Sequence, residues 1–253
     1  FLALIFEDIR IRRWGIVLIS AGGGLGWGAV VGLQGIWSKG LPLEFYSPET
    51  FGFLSLFGLP HLSAGRALLL WGIILYLQLG RQNISTLRQS IRPGLLWLAL
   101  GLFQPLTIVT GWAVLAMHLF LLGAGILHNR WRKVPCDGQS WRNYLKVATT
   151  MEVISSPLVI YTVLSFSTDP FLREWSGQNI ILSPPPGDYL LAFAVILPFV
   201  LWGLLRGVDY SRVETVLLMG WVILFPFLAY APYNLQRRLP DGIWLALVCL
   251  GMF

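Results

Sequence analysis

The chain has 253 residues, is 56% hydrophobic and only 12% charged, and has a mean hydropathy of +0.69. Soluble domains carry about 25% charged residues, so this composition excludes a soluble fold with one anchor and points to an integral membrane protein. It also excludes reading the net charge of +6 as a nucleic-acid footprint, because in a membrane chain the placement of basic residues matters more than their sum.

Arg10, Arg12 and Arg13 precede a first predicted span at 14–33. Within it Gly24, Gly28 and Gly32 recur every four residues, a spacing that lets a second helix approach closely. A long loop, 34–60, leads to a second span at 61–79 and then to a basic loop with Arg81, Arg88 and Arg92. The apolar run 94–127 has 34 residues. A single helix of that length would reach about 51 Å, far beyond a hydrocarbon core of about 30 Å. Proline removes a helix donor and disfavours helix in the residue before it. The run is therefore read as a hairpin: a short helix to Phe103, a turn at Gln104-Pro105, and a return helix to Leu127.

A basic loop at 128–146 precedes a more polar span at 147–166. The loop 167–188 holds Trp175-Ser-Gly-Gln-Asn179 and Ser183-Pro-Pro-Pro186, where consecutive prolines break helix and stiffen the chain. Spans at 189–205 and 213–230 follow, joined by a turn with Arg206 and Arg212, and a last helix starts near Asp241. The expected fold is an all-α polytopic transmembrane bundle, one integral membrane domain over 1–253. It has about eight membrane segments, including the short hairpin at 94–127.

Charge tests this layout. One face receives 13 of the 18 basic residues and the other only Lys39, Arg173, Arg237 and Arg238, with Arg66 inside a span. The first face is then cytoplasmic, and the N-terminal arm with it. The bias depends on the hairpin, since a single span over 94–127 would put the two most basic loops on opposite sides.

The scarce face carries the polar and aromatic residues that can do chemistry. Arg237 and Arg238 suit a phosphate or diphosphate, because the planar guanidinium donates two parallel hydrogen bonds; lipid-headgroup contact or an ion pair with Asp241 is the plainer alternative. Glu44 and Glu49 are the carboxylates of the first outer loop. Glu49 is a candidate general base for transfer to a hydroxyl, or a cap for the helix entered after Pro48. Tyr46, His61, Gln104, Gln178, Asn179 and Asn234 complete the candidate binding set. His118 lies on an apolar helix, as a satisfied buried histidine or as an axial ligand to a tetrapyrrole. No metal-ligand spacing occurs.

Several pieces fall in a familiar order: Gly-Leu-Gly-Trp27, Tyr46-Ser-Pro-Glu49 with Pro60-His61, and Gln104-Pro105, followed by Asp169-Pro170, Trp175-x-x-Gln178-Asn179, Ser183-Pro-Pro-Pro186 with Tyr189, and Asn234-x-Gln-Arg-Arg238. Together they resemble the later two-thirds of bacterial multi-pass membrane proteins related to GT-C glycosyltransferases. The resemblance implies a helical bundle in the bacterial plasma membrane that uses a polyprenyl-phosphate-linked sugar at its extracytoplasmic face, with Arg237 and Arg238 holding donor phosphate. It implies no further cofactor; the partners are the bilayer and the lipid-linked substrate, not nucleic acid. Such enzymes place the catalytic carboxylate in the first outer loop after their first span. That region is expected upstream of Phe1, since the chain lacks an initial methionine and stops inside an apolar run at Phe253. Glu49 is then a substitute candidate. The alternative function is a non-catalytic subunit of an energy-converting or photosynthetic membrane complex, packed against other membrane subunits.

Overall fold

The computed structural model describes residues 1–38, 40–82, 87–131 and 138–253, and among these it contains helices and no strand. In chain order the α-helices are α1 (Leu2–Ile5), α2 (Ile9–Ala21), α3 (Gly52–Phe57), α4 (Pro60–Arg81), α5 (Leu87–Phe103), α6 (Pro105–Trp131), α7 (Gly138–Thr168), α8 (Pro170–Gln178), α9 (Pro186–Phe193), α10 (Leu197–Trp202), α11 (Val213–Ala229) and α12 (Ile243–Gly251). Three of them, α4, α6 and α7, are long and apolar enough to cross a membrane, and the bent pair after residue 186 brings the number to four if it is one span. Among the described residues, three or up to four such helices stand against the expectation of about eight membrane segments.

Two predicted spans differ for identifiable reasons. The first, 14–33, is not one helix. α2 stops at Ala21, Gly22 is extended at φ −70° and ψ 158°, and Leu25–Val31 continues as 3₁₀ helix. Gly22, Gly23 and Gly24 carry no side chain that favours continuing the helix, and glycine there weakens it. The fourfold glycine spacing is therefore not a helical stripe, although Gly24 does meet a close neighbour. The span at 189–205 is broken into α9 and α10, bent by 78°. Pro198 stands in the first turn of α10 and has no N–H to bond back into the preceding turn.

The break expected at Gln104-Pro105 is present, within helices that extend beyond 94 and 127. α5 ends at Phe103 and α6 begins at Pro105. Gly111 lies against Trp97, and Gly101 against Ile108, so the two helices run back along each other from Gln104. Asn83, Ser85 and Cys136 lie outside the described residues.

The described chain divides into two compact units. The first comprises Phe1, Ala64–Glu174 and Tyr210–Leu224; the second comprises Leu2–Ser63, Trp175–Asp209 and Phe225–Phe253.

In the first unit, aromatic side chains press against glycines on facing helices. A Cβ on Gly72 would stand 2.2 Å from Trp97, whose Nε1 donates to the Leu69 carbonyl at 3.3 Å. A Cβ on Gly80 would stand 1.9 Å from Tyr144, whose hydroxyl donates to the Leu77 carbonyl at 3.3 Å. Close backbone approach of this kind drives helix association in lipid, where burying apolar surface between helices gains little. Arg81 pairs with Glu214, which is 1% exposed.

The second unit is organised around α12, whose residues Ile243–Leu250 are all buried. A helix that is apolar on every side needs such enclosure. Phe51, fully buried, packs in tilted geometry against Phe193 at 5.9 Å and Trp244 at 5.3 Å between ring centroids. Trp244 Nε1 donates to the Leu18 carbonyl at 2.8 Å. Gly24 packs on the α9 backbone, where a Cβ would fall 2.1 Å from the Ala192 oxygen.

Candidate functional site

The arginine pair sits on a 3₁₀ turn, Gln236–Arg238, that the rest of the second unit holds by its backbone. After α11 the chain folds tightly, with Gln236 N donating to Tyr233 O at 3.1 Å and Arg238 N to Leu235 O at 2.9 Å. The extended segment around Ile181 then clasps the turn. Ile181 N donates to Asn234 O at 2.6 Å, Arg237 N donates to Ile181 O at 3.3 Å, and the Tyr230 hydroxyl donates to Pro184 O at 2.9 Å. Prolines at 184–186 suit this segment, since they favour extended backbone and need no partner for an N–H. On the far side Gly242, at φ +77°, donates its N–H to Glu49 O at 3.1 Å and launches α12.

The two guanidiniums have different surroundings. Arg238 Nε lies 3.3 Å from Glu49 Oε1; its side chain is 44% exposed and that of Glu49 is 6% exposed. Arg237 lies over the Tyr46 ring, with 4.8 Å from its guanidinium carbon to the ring centroid, a cation–π arrangement. Its Nε is buried without a hydrogen-bond partner among the described residues. Arg237 therefore retains a donor that Arg238 has committed.

Glu49 stands in the turn before α3. In that turn the Ser47 and Thr50 hydroxyls lie 3.0 Å apart, and the N-cap of α3 is Phe51, whose side chain makes no capping bond. Burial pushes its pKa up, most strongly among the contributions; Arg238 and Arg237 pull it down and Asp241 pushes it up. Tyr46 is also raised, by burial first and then by Asp188, with Arg237 acting in the opposite sense.

Three further buried carboxylates belong to this unit: Glu44, Asp188 and Asp241, at 3%, 4% and 2% exposure. Glu44 Oε1 accepts from the amides of Gly24 at 2.9 Å and Gly26 at 2.8 Å, while its Oε2 is buried without a partner. Its pKa is raised by burial, against the pull of those amides. Asp188, in the first turn of α9, accepts from the Ser38 hydroxyl and amide. The glycine pair that cradles Glu44 was visible in the sequence as Gly-Leu-Gly, but its acidic partner was not, because the pairing is made across the 3₁₀ region.

The structure thus brings Arg237, Arg238, Tyr46, Glu49 and Asn234 together, the last through its backbone carbonyl. Gln178 closes α8, and Asn179 caps it by donating from Nδ2 to Trp175 O at 3.0 Å. His61 is exposed in the first turn of α4. Gln104 belongs to the other unit; it is buried, and its Oε1 has no hydrogen-bond partner among the described residues. His118, in that unit also, has both ring nitrogens engaged, Nδ1 with the Tyr76 hydroxyl at 2.8 Å and Nε2 with Val213 O at 3.1 Å. An axial-ligand role would break one of these bonds. Among the described residues no group of histidine, cysteine and carboxylate side chains can hold a metal ion.

No family model, curated protein or solved structure matches this chain. The chemistry of the arginine turn therefore rests on its own geometry. It combines one compensated guanidinium, one with a donor to spare, and a buried carboxyl group, Glu49, whose pKa burial raises.

Proposed function

We propose that the chain forms part of a membrane glycosyltransferase of GT-C type that uses a polyprenyl-phosphate-linked sugar at the extracytoplasmic face of a bacterial plasma membrane, with its N-terminal arm cytoplasmic. The observation that carries this reading is Arg237. Its guanidinium lies over Tyr46 and keeps a buried Nε without a hydrogen-bond partner, while the backbone around it is clasped by Ile181. A phosphate oxygen is a strong acceptor for such a donor. Arg238, paired with Glu49, lends positive potential and fixes the turn. Glu49, whose pKa is raised mainly by burial, is the carboxyl available for proton transfer from an acceptor hydroxyl.

The test is turnover of a polyprenyl-phosphate sugar by the full-length protein in proteoliposomes. Arg237→Ala should abolish most turnover, and Arg237→Lys should restore little of it, because lysine lacks the planar fork and stacks poorly on tyrosine. Glu49→Gln should lower kcat by about 10²-fold or more, the usual contribution of a general base. Undiminished turnover by Arg237→Ala would remove the basis of the proposal.

A further inference from the structure

The segment that follows α7 exposes more apolar surface than a water-facing connection ordinarily does. No residue of α8 is buried, and Phe171 and Trp175 are 74% and 47% exposed. Beyond the helix Ile180 and Leu182 are 58% and 49% exposed. At about 100° per residue Phe171, Leu172 and Trp175 share one face of α8 and Arg173 falls opposite. The helix is firmly begun and ended. Leu172 N donates to Asp169 Oδ1 at 3.0 Å, Arg173 N donates to Asp169 O at 3.0 Å, and Asn179 caps the far end.

The position of α8 in the chain says what covers this face. α7 is a membrane-crossing candidate, and its Ile160, Tyr161, Val163 and Leu164 are exposed as lipid-facing side chains are. Counted from Lys146, the last basic residue of α7, about 30 Å of helix ends near Phe166, which matches the thickness of the hydrocarbon core. α8 starts four residues further on, at the level of the headgroups. An amphipathic helix at that level lies in the plane of the membrane, with aromatic side chains toward the acyl chains and charged ones toward water.

We infer that Phe171, Leu172 and Trp175 seat α8 in the headgroup layer of the bilayer, and that Ile180 and Leu182 extend this seat along the segment that clasps the arginine turn. The partner is the lipid surface itself. The seating does not rest on the sugar-transfer reading, and its test reads depth rather than turnover.

The experiment uses the full chain in phosphatidylcholine–phosphatidylglycerol nanodiscs, in a Cys136→Ser, Cys249→Ala background. Nitroxide labels are placed at Phe171→Cys, Arg173→Cys and Trp175→Cys, all exposed positions, with Val163→Cys on α7 as the lipid-facing standard. Collision with oxygen and with a water-soluble nickel chelate is measured by electron paramagnetic resonance. Labels at 171 and 175 should be reached by oxygen and shielded from nickel, like 163, with the label at 173 showing the reverse. Nickel access at all three sites would overturn the seating, and so would shielding of all three from both reagents, which is the pattern of a protein partner. A second measurement needs no variant. A lipid carrying a diazirine near its headgroup should crosslink the unmodified chain within 170–182, and crosslinks confined to other segments would also overturn the proposal.

Discussion

Removing Arg238 should harm the protein more than removing Glu49, although the two form one ion pair. Arg238 is the half-exposed partner and Glu49 the buried one, with side chains 44% and 6% exposed. Two unit charges about 4 Å apart attract by about 4 kcal/mol at an effective dielectric of 20. Exposure of the guanidinium and its lost side-chain freedom reduce the net value of such a pair to about 1 kcal/mol or less. Arg238→Ala, however, leaves a buried carboxylate without its cation, and stranding a charge in a fully buried pair costs about 3–5 kcal/mol. With one partner half in water, the expected loss is about 1–2 kcal/mol. Glu49→Gln removes the desolvated charge together with the attraction, so its stability should stay within about 0.5 kcal/mol of the parent.

The sign of the pH dependence follows. Burial raises the pKa of Glu49 above its ordinary 4.5, and the arginines hold it down. A carboxyl raised on folding contributes stability below the unfolded value, and this is lost as pH rises through the folded value. Without Arg238 the folded value climbs further, so the deficit of Arg238→Ala should vanish below pH 4.5 and grow to its full size as pH rises. Thermal unfolding in detergent, followed by intrinsic tryptophan fluorescence across this range, measures it, and Arg238→Ala combined with Glu49→Gln should recover most of the loss. An Arg238→Ala variant as stable as the parent at neutral pH would refute the reasoning, as would a Glu49→Gln variant equally damaged.

Gly24→Ala should destabilise by about 1–3 kcal/mol or more, because its Cβ would meet the Ala192 backbone at 2.1 Å; Gly125→Ala, with nothing within 4 Å, is the control in the same unfolding assay. His118→Leu removes both histidine bonds and leaves the buried Tyr76 hydroxyl without this partner, so it should cost about 1–3 kcal/mol. The same reading expects the purified parent to show no tetrapyrrole absorbance band. Tyr46→Leu should keep the fold but weaken binding of a phosphate-bearing lipid several-fold in a nanodisc titration, because the ring that orients Arg237 is lost.

Much of the helical frame could be read from residue order. The Gln104-Pro105 break followed from the length of the apolar run and from the chemistry of proline, both local properties, and it holds at Phe103 and Pro105. The last helix, expected near Asp241, begins at Ile243 for a similar reason: an apolar run must start somewhere, and Gly242 permits the turn. Glycine and proline mark where a chain can break but not whether it will. The first span reads as continuous because its hydropathy is continuous; it stops at Ala21, where three glycines follow, and Gly24 packs on the Ala192 backbone.

The sequence by itself determined that this is a chain of apolar helices compatible with an integral membrane protein, where its proline break falls, and which polar residues cluster between its apolar runs, because composition, helix length and backbone chemistry are local quantities. Only the tertiary structure decided that Arg238 is held by Glu49 while Arg237 rests on Tyr46 with a donor to spare, and that Glu44 is cradled by Gly24 and Gly26. Two adjacent arginines are equivalent in the sequence. Burial and partners separated in the chain make them unequal, and no local rule encodes those.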